Sequence, residues 1–66
     1  MSDEILRYTD LAMLIQMARA RGWPTRRIVR KLSQGMTHKD ALELADRAAP
    51  LLDLTATEFM RLRKNE

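Results

Sequence analysis

Apolar residues recur along this chain at helical rather than strand spacing. The densest run is residues 11–18, Leu-Ala-Met-Leu-Ile-Gln-Met-Ala, broken only by Gln16. Leu11, Leu14, Ile15 and Ala18 repeat at i, i+3, i+4 and i+7. That spacing predicts a core-facing stripe on a helix over about 9–21. Met13 and Met17 stand i, i+4 and fall largely on the opposite side, so the helix is apolar nearly all round. Such a helix needs cover on two sides. Either other helices of the chain wrap it, or a second molecule covers the methionine side.

The pattern predicts three further helices. Gly22 suits the left-handed position that ends the first one. Trp23-Pro24-Thr25 makes a corner, with Pro24 in an opening turn where its missing N–H costs nothing. Trp23 is expected to pack against both helices there. The second helix covers about 24–34, with Ile28, Val29 and Leu32 inward and Arg26, Arg27, Arg30 and Lys31 outward, and Gly35 stops it. The third covers about 37–49 and opens on Thr37-His38-Lys39-Asp40, an aspartate variant of the capping box. Its inward stripe is Ala41, Leu44, Ala45, Ala48 and Leu52, interrupted by a break at Pro50. The fourth covers about 55–63. It opens on the capping box Thr55-Ala56-Thr57-Glu58, with Leu54 and Phe59 at staple positions. Phe59 and Leu62 face inward, and the basic end from Arg61 onward is expected to fray. Residues 1–8 and 64–66 read as flexible or extended, and Ile5 to Thr9 also suits a short strand. The expected fold is all-α, a compact bundle of about four short helices in one domain over 1–66.

Length limits how such a bundle is held together. A chain of 66 residues buries only about 60% of its unfolded surface. One core of this size supplies about 3–5 kcal/mol. There is no cysteine, and the single histidine, His38, has no second soft ligand for a structural zinc. Extra stability must then come from tight helix packing or from oligomerisation, and a homodimer is one expectation. No segment reaches the roughly 18 apolar residues of a membrane span. Asp3, Glu4 and Asp10 make the start unlike a secretory signal. A cytoplasmic protein is expected.

The net charge is +3, but its distribution says more. Arg19, Arg21, Arg26, Arg27, Arg30 and Lys31 occupy residues 19–31 with no acid among them. Asp40, Glu43, Asp46 and Asp53 follow, opposed only by Arg47, and Arg61, Arg63 and Lys64 make the end basic again. Little supports catalysis. His38 has no nucleophile nearby in sequence, Ser2 and Ser33 lack a nucleophile-elbow context, and Gly22 and Gly35 are isolated. Asp40, Glu43 and Asp46 at helical spacing read as a solvated face, because no second cluster completes a metal site. No enzyme activity, cofactor or metal is expected.

Two candidate surfaces remain. The basic face comprises Arg19, Arg21, Trp23, Arg26, Arg27, Arg30 and Lys31, whose planar guanidinium forks suit carboxylates and phosphates. The apolar face comprises Met13 and Met17, which adapt well to irregular partners.

Two resemblances point to DNA. Residues 25–45 resemble a helix-turn-helix, with Ile28, Val29 and Leu32 before the turn, Gly35 and Met36 in it, and Ala41 and Leu44 after it. That resemblance implies a second helix in the major groove. Here that helix would present Asp40, Glu43 and Asp46 to phosphates, which is poor electrostatics. Residues 5–32 resemble a ribbon-helix-helix protein, which implies a dimer reading DNA with strand residues, here Arg7 and Thr9 with Ile5 alongside.

The acidic third helix and the over-apolar first one favour a protein partner. A basic and an acidic face on one small body suit orientation-specific contact. The expectation is a small non-catalytic regulator, an adaptor or inhibitor of the kind viruses and mobile elements carry. Its partner would be an acidic surface or a helix groove. The alternative is a DNA-binding transcriptional regulator using the basic segment 19–31.

Overall fold

The computed structural model describes the backbone of residues 8–64 and the side chains of residues 10–64. Within them the chain forms α1 (Tyr8–Ala20), α2 (Thr25–Leu32), α3 (His38–Ala48), a 3-10 turn (Pro50–Leu52) and α4 (Ala56–Lys64). The described residues contain no strand. The expected all-α bundle of four helices is what forms. Tyr8 and Thr9 are helical, so the ribbon reading loses them, and its other positions, Ile5 and Arg7, lie outside the described residues.

The connections follow from local chemistry. Gly22 has φ +84°. Its N–H donates to the Arg19 carbonyl at 2.9 Å, and the Trp23 N–H to the Ala18 carbonyl at 3.1 Å. This paired closure of a helix C-terminus needs a left-handed residue at Gly22. The same closure recurs after the 3-10 turn. There the Leu54 N–H donates to Ala49 at 2.9 Å and the Asp53 N–H to Pro50 at 3.2 Å. Asp53 fills the left-handed position at φ 59°, where any side chain is strained. The two sites make opposite predictions. A Cβ at Gly22 meets open space, so Gly22→Ala tests backbone strain alone and should cost about 1 kcal/mol. Asp53→Gly should gain about 0.5 kcal/mol. Thermal melts of the two variants should move several degrees in opposite directions.

α2 stops at Leu32, two residues short of its expected end. The buried Ser33 turns its hydroxyl back onto the Val29 carbonyl at 2.9 Å. A tight turn then runs from Ser33 to Met36 through Gly35 at φ +79°. Thr37 caps α3 by accepting from the Asp40 N–H at 3.2 Å. At α4 the full reciprocal box forms. The Thr55 N–H donates to Glu58 Oε1 at 2.9 Å, and the Glu58 N–H to Thr55 Oγ1 at 3.1 Å.

The core comes from one face of each helix. Leu11 and Ile15 of α1, Ile28 and Val29 of α2, and Phe59 and Met60 of α4 share one core with α3. α3 contributes Ala41, Leu44, Ala45 and Ala48, with Ala49 and Leu52 following it. The alanines let neighbouring helices approach its backbone closely. α4 packs on both α2 and α3, while α1 packs on α3 and the 3-10 turn. α4 does not fray after Arg61. It is helical through Lys64, and the part-buried Arg63 donates from Nη2 to the Met36 carbonyl at 2.7 Å. That contact ties the last turn of α4 to the α2–α3 connection. No helix among the described residues is long and apolar enough to cross a membrane.

Candidate functional site

α1 is where expectation and structure part. Leu11 and Ile15 are buried and Ala18 is half-buried, as the stripe predicts. Leu14 is not core: it is 41% exposed. The reason is angular. On a helix wheel Leu14 stands at the edge of the arc set by Leu11, Ile15 and Ala18. The chain would need α2 alongside α1 to cover that edge. α2 is only eight residues long and packs mainly on α4.

Leu14 instead forms one wall of a groove between α1 and α2, about 350 Å³ in volume. Met17 and Ala18 continue that wall, while Trp23, Ile28 and Leu32 supply the floor and far side. Arg21 and Lys31 line its rim. Trp23 stands at the corner between the two helices. Its ring is half-buried and carries the Arg27 guanidinium at 4.0 Å from the ring centre. That stacking holds the indole in place through a cation–π contact. Met13, 60% exposed, and Met17, 49% exposed, extend the apolar surface outward along α1.

The fold divides the expected basic face. Arg21, Trp23 and Lys31 join the apolar groove with Met17. Arg26, Arg27, Arg30 and Lys31 line an open cleft on the outer side of α2 with Pro24 and Gln34. Arg19 is exposed near the end of α1 and lines neither. Lys31 borders both. Leu14, Ile28 and Leu32 were legible only as core positions, because their place on a groove depends on how far α1 and α2 diverge.

The outward side of α3 carries Lys39, Asp40, Glu43 and Asp46, all exposed. The acids therefore stand where a helix-turn-helix would place its groove-reading residues. No group of three or more His, Asp or Glu among the described residues is arranged to hold a metal. No protein-family model matches the chain, and comparison with curated proteins and with solved structures finds no match.

Proposed function

We propose that this chain is a small non-catalytic regulator that works by binding another protein. The docking surface is the α1–α2 groove together with the outer side of α1. One observation carries the reading: Met13, Leu14 and Met17 lie exposed in a row, and no described helix covers them. A patch of adjacent large apolar side chains on so small a body favours an interaction site. Methionine at its centre suits a surface that must adapt to a partner.

The occupant is a short amphipathic helix. Its apolar side chains at i and i+4 fill the groove, and its acidic side chains face Arg21 and Lys31 at the rim. The groove side chains would supply affinity, and the rim charges partner choice and orientation. A randomised helical-peptide display selection on the immobilised protein tests this. Enrichment of apolar i, i+4 pairs flanked by Asp or Glu is the expected result. Enrichment of basic peptides, or none at all, would contradict it.

A second copy of the chain is the rival occupant, favoured by one feature of the stripe. Asp10, Leu14, Met17 and Arg21 share one side of α1. In an antiparallel pair of α1 helices, Leu14 would meet Met17 of the other copy and Asp10 would meet its Arg21. Sedimentation equilibrium separates the cases. A mass of one chain at micromolar concentration favours a foreign partner, and a dimer abolished by Met17→Glu favours self-association.

A further inference from the structure

α4 ends beside α2, and this brings together basic residues that are far apart in sequence. Arg26, Arg27, Arg30 and Lys31 line the outer cleft of α2. Arg30 also lines the adjoining cleft with Arg63 and Lys64 of α4. The two clefts are about 380 and 330 Å³ and share Arg30 and Gln34. Among the described residues, no acidic side chain lines either one. We infer that this composite surface binds the phosphate backbone of nucleic acid, independently of sequence and on a different side of α2 from the groove.

Three observations support the inference. First, the cations exceed what the helix ends themselves neutralise. Arg30 and Lys31 lie in the last turn of α2, and Arg61, Arg63 and Lys64 in the last turn of α4. Each helix end carries only about half a negative charge, less than the charge of Lys31 on one end or of Arg61 and Lys64 on the other. Second, two members are held in place before any ligand arrives. Arg63 is fixed by its bond to the Met36 carbonyl, and Arg27 by its stacking on Trp23. Anchored guanidinium groups give up less side-chain freedom when they meet a phosphate. Third, apart from Pro24 the described side chains lining the clefts are charged or polar, whereas Leu14, Met17, Trp23, Ile28 and Leu32 line the groove. That chemistry suits a regularly charged polymer better than a folded protein surface. The acidic side of α3 would oppose base reading in the major groove, which is why the contact is assigned to backbone alone.

Fluorescence anisotropy with a mixed-sequence DNA duplex of about 20 base pairs, and with one of its strands, tests the inference. If about four phosphates are contacted, affinity for at least one probe should fall roughly 100-fold between 50 and 200 mM salt. Arg26→Ala and Lys64→Ala alter exposed residues on the two helices, and each should reduce the salt slope by about one. Arg19→Ala, on α1, should leave the slope unchanged. Circular dichroism of each variant separates loss of binding from loss of fold. No binding to either probe at 50 mM salt would overturn the inference. So would a slope that responds to Arg19 as strongly as to Lys64. Binding of a polyglutamate peptide in place of both nucleic acids would assign the surface to acidic protein instead.

Discussion

Phe59→Ala is expected to leave the chain largely unfolded at 25 °C. Phe59 is the largest of the fully buried side chains, at 0% exposure, and sits where α4 closes over α2 and α3. Truncating a buried phenylalanine costs about 3–5 kcal/mol. A domain with one small core holds about 3–5 kcal/mol in total, so this loss consumes most or all of the margin. Far-ultraviolet circular dichroism should show most of the helical signal gone and no cooperative melt. A variant that melts cooperatively with less than about 1 kcal/mol lost would mean that the core is not organised around α4. The small α3 interface makes the outcome severe. Ala41, Ala45 and Ala48 are small, so Leu44 is the one large buried side chain on α3 that could relax toward the space Phe59 vacates.

Met17→Glu is expected to have the opposite profile, with a fold untouched and binding lost. Met17 is half exposed, so the substitution should change stability by no more than about 0.5 kcal/mol. In a complex it would place a carboxylate between Leu14 and Trp23, inside an apolar groove. Loss of a central apolar anchor costs about 2 kcal/mol or more, which corresponds to about a 30-fold weaker Kd. The new charge would also repel the acidic flank of the peptide. Isothermal titration with a selected peptide should show this loss beside an unchanged melt. Equal affinity in both proteins would remove Met17 from the docking surface. Reversing the rim with Arg21→Glu should act differently, slowing association more than it speeds dissociation.

Much of the bundle was legible in the sequence because its signals are local. The box at Thr55 and Glu58, the closure at Gly22 and the break at Pro50 each depend on a few neighbouring residues. The stripe Ala41, Leu44, Ala45, Ala48 and Leu52 is wholly buried as its spacing predicts. Leu14 shows where the pattern fails. Its spacing from Leu11 and Ala18 is right for a core position, but no described helix lies over it. Nothing within α1 encodes how far α2 swings away. Arg63 shows the same limit from the other direction. It stands in a mostly charged run with Arg61, Lys64 and Glu66, which reads as a frayed end. Its fixed position comes from a carbonyl 27 residues away, at Met36. The spacing of Met13 and Met17 leaves open what covers them, and no described helix does.

The methionines report directly on the proposed docking surface. Met13 and Met17 lie on its exposed side, Met36 is half-buried at the α2–α3 connection, and Met60 is in the core. A 13C-methyl methionine spectrum, recorded while a selected acidic peptide is added, reads these four together with Met1. The Met17 methyl should shift most and Met13 less, while Met36 and Met60 stay in place. Shifts at Met36 or Met60 with Met17 unmoved would contradict the assignment of the α1–α2 groove as the docking surface.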